Sequence, residues 1–298
     1  MTKLKSVLLN LFLFSLFSIV SVANSHAQSY SQNHSYLLTD TGRIHTVRAY
    51  MPESNFIPLF SPDGYFLLPE MIAFKRSNYI LDKDNNIFTV DADGYVYQYN
   101  YSTEIGSKLK NLGGTFFTTK SKELHIVKSN GAIETLKKKD IDFDSSLKLF
   151  GGNFILTRKG TVYIVDSING RVMSTNFTIK AKIVKTVGNN FLITEEGQVY
   201  SFGIKEDGSV SIKTKYSSNF KRVVRSGGNF FIDGSRRIYT ISTAGEIIRV
   251  LNPKKDVLPN KIGTNYFSYA NGDFYIVDNY GAIHFLTNFA ERISTTSY

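Results

Sequence analysis

Few residues of this chain have the types and spacing that catalysis or metal binding requires. Its histidines are His26, His34, His45, His125 and His284, and it has no cysteine. His45 and His125 occupy a position that other copies of an internal repeat fill with tyrosine or phenylalanine. That substitution suggests that the imidazole rings pack in the core, and it argues against a general base or a metal ligand. The lack of cysteine excludes thiol catalysis and cysteine-ligated zinc.

A second group resembles part of a calcium loop. Asp82, Asp84 and Asn86 have the alternate spacing of oxygen ligands. The motif then requires glycine and an acid at its twelfth position, whereas this chain has Ile87 and Asp93. We therefore expect a polar hairpin turn there. With no nucleophile elbow, phosphate-binding glycine loop or paired zinc ligands, the sequence predicts a protein without catalytic, metal or cofactor-binding residues, which is not an enzyme.

One polar position of the repeat is the better candidate for binding a ligand or partner. Five copies have asparagine there, and the other two have Ser35 and Thr115. The asparagines are Asn78, Asn153, Asn190, Asn229 and Asn265. Two interpretations stay open: the side chains cap turns, as asparagine and serine often do, or they form a polar ring that binds a ligand or partner.

The repeat itself is a phrase of 15 residues that occurs seven times. The copies begin at residues 33, 76, 113, 151, 188, 227 and 263. The fourth position of every copy is aromatic and the twelfth is apolar, and a period in this range indicates a stack or ring of equivalent units. We interpret each unit as four short strands; in the copy at Gly188 these are 191–193, 199–202, 210–212 and a segment containing Val223 that leads to the next glycine pair.

Seven such units predict an all-β fold, a seven-bladed β-propeller of four-stranded antiparallel blades that forms a single domain over residues 28–298. Residues 291–298 are expected to add a strand that closes the ring. The first turn of the phrase has Asn85 or glycine in five copies, and a second turn has a glycine in six, both suited to left-handed backbone conformations. The glycine pairs at 113–114, 151–152 and 227–228 suggest tight entry into a strand near a crowded axis.

The sequence of the repeat resembles that of a known family. The run from Gly227 to Phe231, followed by Ile238 and Tyr239, is similar to the repeat of the regulator-of-chromosome-condensation propellers. The run from Val199 to Gly203 is similar to that family's strand-ending phrase. The resemblance implies the propeller architecture and leaves the function open.

The N-terminus and the net charge indicate where the protein works. Lys3 and Lys5 precede an uncharged, largely apolar stretch over 6–22, and Ser25 and Ala27 fit a cleavage site, so residues 1–27 are predicted to be a secretory signal peptide. A retained membrane anchor is the alternative, although the apolar stretch is short for one. With no cysteine, we expect a bacterial periplasmic or extracellular protein that does not span the membrane after cleavage.

The net charge of +10 favours anionic partners, and the secretory signal argues against nucleic acid. The leading hypothesis is a non-catalytic module that binds or scaffolds a protein partner through one propeller face. A lectin-like module for envelope polysaccharide is the alternative, suggested by the 18 tyrosines. A lyase or hydrolase with its site at the channel mouth is the third.

Overall fold

The computed structural model describes residues 35–38, 44–47, 57–58, 72–90, 96–99, 109–121, 123–137, 143, 146–180, 183–205, 207–255 and 257–288. Within these ranges the regular structure is strand, apart from 3₁₀ structure at Ser218–Lys221 and at Ile183. No helix in the described ranges is long and apolar enough to cross a membrane. The fold is all-β, as predicted.

The first copy of the phrase forms a sheet of three strands. They are β1 (Ser35–Leu38), β2 (Ile44–Val47) and β3 (Ile57–Pro58). The third strand is only two residues long and ends at a proline, which has no N–H to continue the ladder.

The remaining copies form six antiparallel sheets of four strands each, the blades of a propeller. Blades 1 to 3 contain β4 (Ile72–Lys75), β5 (Tyr79–Asp82), β6 (Ile87–Val90), β7 (Val96–Gln98), β8 (Leu109–Leu112), β9 (Phe116–Thr119), β10 (Leu124–Val127), β11 (Ile133–Leu136), β12 (Leu147–Phe150), β13 (Phe154–Thr157), β14 (Thr161–Asp166) and β15 (Arg171–Thr178). Blades 4 to 6 contain β16 (Val184–Val187), β17 (Phe191–Thr194), β18 (Gln198–Ile204), β19 (Val210–Tyr216), β20 (Val223–Ser226), β21 (Phe230–Asp233), β22 (Ile238–Ile241), β23 (Ile247–Val250), β24 (Lys261–Ile262), β25 (Tyr266–Ser268), β26 (Asp273–Val277) and β27 (Ile283–Asn288).

Two details of the prediction are corrected by this topology. The count of seven blades is wrong: six sheets have four strands each, and the sheet of the first phrase has three, the last of them only two residues long. The grouping of strands within a unit is also shifted. Val223 pairs with Asp233, so its strand is the first of its own blade and not the fourth of the preceding one.

The turns adopt the conformations that their residues suggested. Asn85, Gly160, Gly197 and Gly272 have φ values of 67°, 98°, 88° and 87° at the first turn, so that prediction is confirmed. Arg236 occupies the same position with φ of 59°, although it has a side chain that disfavours this region. The second-turn glycines in the described ranges also have positive φ, and Gly94 lies outside those ranges.

The core lies between blades. Phe154 and Leu156 of blade 3 pack with Leu192 and Phe202 of blade 4, and four similar clusters join the other neighbouring pairs from blade 1 to blade 6. Ile155, on the opposite face of the same strand, packs with blade 2 instead. Because both sheet faces are covered, second strands such as β13 and β17 are buried along their whole length, which explains their continuous apolar runs.

The predicted signal peptide, residues 1–27, and the closing strand at 291–298 lie outside the described residues. The extent of the single domain, 28–298, therefore stays a prediction.

Candidate functional site: a basic central channel closed at one end

The centre of the propeller is closed at one end by the second residue of the phrase in blades 1 to 6. Ser77 of blade 1 donates from its Oγ to Asn189 Oδ1 of blade 4, three blades away, at 3.3 Å. A Cβ on Gly114 would lie 2.5 Å from the Cα of Gly152, and one on Gly152 would lie 2.5 Å from the Cα of Asn189. These backbones meet at the axis with no room for side chains, which confirms the predicted role of the glycine pairs.

Backbone hydrogen bonds run around this closed end from blade to blade. Thr115 N donates to Gly152 O at 2.8 Å, Asn153 N to Asn189 O at 2.9 Å, and Asn189 N to Gly228 O at 2.6 Å. The turn between the first and second strands of each blade is thus joined to the same turn of the next blade. Because these turns meet at the axis, the first strand of each blade is the innermost one.

Three innermost strands present a lysine at the same position. In β8, β12 and β16 the strand pairing skips one residue, so Lys110, Lys148 and Lys185 are each the extra residue of a β-bulge. Such a bulge re-aims a side chain. All three lysines are exposed, and on an innermost strand the exposed direction is the central channel.

The inner strands are basic throughout. Arg225 of β20 is exposed, Lys261 lies in β24, and no inner strand of the six blades contains an aspartate or glutamate. The lysines stand about 13 Å along the strand from the closed end, at four residues and 3.3 Å per residue. Lys185 Nζ donates to the carbonyl of Lys221, which lies in the connection between two blades, at 2.8 Å. The lysines therefore lie toward the other end of the channel, which we call the channel mouth.

The described part of the propeller face around the channel mouth is rich in cations. We call it the loop face; it consists of the turns between second and third strands and the connections between blades. Among the described residues its exposed carboxylates are Asp84, Glu195 and Glu196. Its exposed cations are Lys83, Lys120, Lys137, Arg158, Lys159, Lys180, Lys221, Arg222, Arg236 and Lys255.

The described part of the opposite face is close to neutral. Within the described turns at the closed end, the exposed charged residues are Lys205, Asp207 and Glu246. Among the described turns and connections, the exposed cations therefore lie mainly on the loop face. Such a field attracts anionic partners to one face.

Apolar side chains accompany the charge on the loop face. Leu251 and Val257 lie in the connection between blades 5 and 6 and are 90% and 50% exposed. Tyr216 ends the outer strand of blade 4 on the same side and is 61% exposed. Exposed apolar groups within a polar surface are the usual composition of a binding patch.

The predicted asparagines lie elsewhere, buried between blades. Their exposure ranges from 0% to 6%, and they are Asn78, Asn153, Asn190, Asn229 and Asn265. Asn78 Nδ2 donates to Val127 O of the next blade at 2.7 Å, and Asn190 Nδ2 donates to Ser242 O of the next blade at 3.0 Å. Asn229 is fully buried and has no side-chain hydrogen bond within the described part of the chain. A ligand would reach these amides only by separating blades, so their role in binding stays a prediction.

The carboxylates of the turns are occupied locally. Asp82 accepts from the backbone N and from Nδ2 of Asn86 at 2.7 and 2.8 Å, which gives the polar hairpin turn predicted for the calcium-like segment. Asp233 is fully buried and is paired with Arg237 at 2.8 Å. No group of three acidic or histidine side chains in the described ranges is placed to hold a metal ion.

The imidazole of His125 packs in the core, as its position in the repeat suggested. It is 2% exposed and stacks on Phe117 with ring centroids 4.8 Å apart. Its Nδ1 lies 3.0 Å from Thr135 Oγ1. Burial lowers the pKa of His125, with Glu123 opposing that shift. His45 belongs to β2, and its surroundings fall outside the described side chains.

The channel lysines were missed by the sequence reasoning, which considered the basic residues only through the net charge of the chain. A signal was present, because Lys110, Lys148 and Lys185 each precede a phrase by three residues. That spacing became meaningful only when the structure placed the preceding segment on the innermost strand.

Comparisons with known proteins add the following. No protein-family model and no curated protein sequence matches this chain. A solved structure that is similar is that of PorZ, an essential bacterial surface component of the type-IX secretion system of Porphyromonas gingivalis. The identity is 14% and the TM-score 0.34; the match covers 89% of this chain and 38% of that one. This chain thus spans well under half the length of that structure, and at this TM-score the likeness supports no inference about function.

Proposed function

We propose that this protein is a non-catalytic propeller, secreted or periplasmic, which binds a protein partner through its loop face and so acts as a scaffold. The observation that carries the proposal is the difference between the two faces. Cations and exposed apolar side chains share the loop face, whereas the closed face is close to neutral.

A protein partner suits this surface better than a small substrate does. Leu251, Val257 and Tyr216 offer apolar area that gains free energy when covered by another apolar surface, at about 25 cal/mol per Å². The surrounding cations would orient an acidic partner as it approaches and would increase its rate of association. The third hypothesis, a lyase or hydrolase at the channel mouth, would be favoured by a carboxylate cluster there, and the inner strands carry lysines instead.

Glycan binding is the second candidate, and exposed tyrosine rings favour it. Tyr280 is 82% exposed, Tyr216 61% and Tyr97 42%. An aromatic ring with a polar tip is well suited to stack against a sugar. The rings lie on different blades, so a polysaccharide would contact them along a path over the surface.

The test is binding of the mature protein, residues 28–298, to bacterial cell-envelope material before and after exhaustive protease treatment. Loss of binding after protease supports a protein partner. Binding that survives protease contradicts the proposal and supports glycan or lipid.

A pair of variants tests which face is used. Lys221→Glu with Arg222→Glu changes the loop face, and Lys128→Glu with Lys205→Glu makes the same change of charge in two turns of the opposite face. We expect the first pair alone to weaken envelope binding. Equal loss in both pairs would contradict the assignment of the loop face.

A further inference from the structure

We propose that the central channel is a binding site for the acidic end of a polypeptide, held by Lys110, Lys148 and Lys185. The inference rests on the proposed function, because it specifies which part of a protein partner enters the molecule and where. Three properties support it: the charge of the channel, its closed end and the exposed apolar side chains of the loop face around it.

The positive charge of the channel favours the binding of an anion. The three lysines occupy equivalent bulges on neighbouring inner strands, and no inner strand of the six blades offers a carboxylate to neutralise them. No ion pair within the described part of the chain involves any of the three. Like charges held on neighbouring strands repel one another, and an anion placed among them removes that repulsion. Carboxylates are suitable ligands because each lysine ammonium can donate up to three hydrogen bonds.

The closed shape of the channel favours the terminus of a bound polypeptide over a segment from its middle. Ser77 and Asn189 touch across the axis, and Gly152 packs against the backbone of Asn189, so nothing can pass through. A long polymer would have to thread the channel or turn back within it. A terminus can enter from the mouth and stop, with its last residues among the lysines.

The composition of the loop face favours a peptide over a sugar. Leu251 and Val257 are aliphatic, and they offer a sugar no hydrogen bond and no aromatic face. Aliphatic side chains are natural neighbours for the apolar residues of a peptide. We therefore expect acidic residues at the end of the peptide and one or two apolar residues before them.

The experiment uses fluorescence anisotropy with the full mature protein and a labelled peptide of two leucines followed by six glutamates and a free carboxyl end. The channel variant carries Lys110→Gln, Lys148→Gln and Lys185→Gln. The control carries Lys205→Gln, Lys215→Gln and Arg249→Gln, which lower the net charge equally at exposed positions away from the inner strands.

We expect the channel variant to bind the peptide roughly tenfold to hundredfold more weakly than wild type, from three partly exposed charge pairs. We expect the control to lose about twofold or less at 0.15 M salt, because distant charges are screened there. Equal losses of affinity in both variants would overturn the proposed site. They would indicate only nonspecific electrostatic attraction between the acidic peptide and a basic protein. If the triple variant does not fold, as judged by circular dichroism, Lys148→Gln alone is used, and a roughly twofold to fivefold loss is expected.

Two further probes test the shape and the class of ligand. A head-to-tail cyclised peptide of the same composition is expected to bind at least about tenfold more weakly, because it has no end to insert. Equal binding of the cyclic peptide would overturn the inference. An oligomer of galacturonic acid with eight carboxylates is the glycan probe, and tighter binding of this oligomer through the same lysines would also overturn it.

Failure of this inference is distinguishable from failure of the proposed function. If the channel variant still binds envelope material in a protease-sensitive way, the protein partner stands and the channel assignment is wrong. If envelope binding survives protease, the proposed function is wrong, whatever the peptide result.

Discussion

Replacement of Gly152 by alanine tests the closed axis directly. The backbone of Gly152 lies outside the left-handed region, so alanine meets no conformational penalty there and only space matters. The new Cβ would lie 2.5 Å from the Cα of Asn189 and would also overlap that residue's side-chain amide. Since the nearest atoms include backbone, the neighbouring blade must move.

The expected loss in the free energy of unfolding follows from the displacement of the Asn189 backbone. Overpacking of a tight site costs about 1–3 kcal/mol. The displaced backbone of Asn189 donates to Gly228 O at 2.6 Å and accepts from Asn153 N at 2.9 Å, and weakening these bonds costs about 1 kcal/mol each. We expect Gly152→Ala to lower the free energy of unfolding by about 3 kcal/mol.

The measurement is urea unfolding followed by tyrosine fluorescence and circular dichroism. With a slope near 3 kcal/mol per molar, a value at the upper end for single domains, the midpoint falls by about 1 M. The control is Gly234→Ala, at an exposed turn where the nearest atoms, of Arg222, lie 3.0–3.1 Å from the new Cβ. We expect the control to change stability by less than about 1 kcal/mol. If the two variants unfold at the same midpoint, the close packing at the axis is wrong.

Three other predictions concern side chains buried between or within blades. Asn190→Ala removes the hydrogen bond to Ser242 O, so we expect a loss of about 1–3 kcal/mol in urea unfolding; unchanged stability with reduced envelope binding would instead favour the polar ring. Arg237→Ala leaves buried Asp233 without its cation and should cost about 2 kcal/mol in the same assay, whereas an unchanged midpoint would contradict the pair. Burial lowers the pKa of His125, so the unfolded chain binds more protons than the folded one below about pH 6.5, and stability should fall as the pH drops below that value. His125→Phe should reduce this pH dependence, measured by urea midpoints between about pH 5 and 7, and an identical slope would refute the assignment.

The sequence predicted the local structure of the repeat well, because local structure depends on neighbouring residues. Glycine or asparagine at the first turn predicted positive φ, and Asn85 and Gly160 have it. The alternation of apolar and polar residues predicted strands, and the fourth-position aromatics of the six blades, from Tyr79 to Tyr266, are buried. The number of complete blades was wrong, because a repeat phrase specifies two strands and the outer strands come from less regular segments.

The candidate site was harder to predict than the fold. Asparagine at the third position attracted attention because it recurs, yet Asn78 and Asn190 are hydrogen-bonded to backbone between blades. Recurrence marks what every blade needs in order to pack, and packing residues are buried. Lysines on inner strands recur in only three blades at one spacing, so they did not stand out from a basic chain.

By itself, the sequence determined the strands, the turns and the propeller class of this protein, since the spacing of apolar residues and glycines acts within one unit. Only the tertiary structure decided which strand is innermost, which end of the axis is closed and which face gathers the positive charge. These properties depend on contacts between residues far apart in the chain, such as Ser77 and Asn189, 112 positions apart. No local pattern encodes them, because they exist only after the blades have assembled around a common axis.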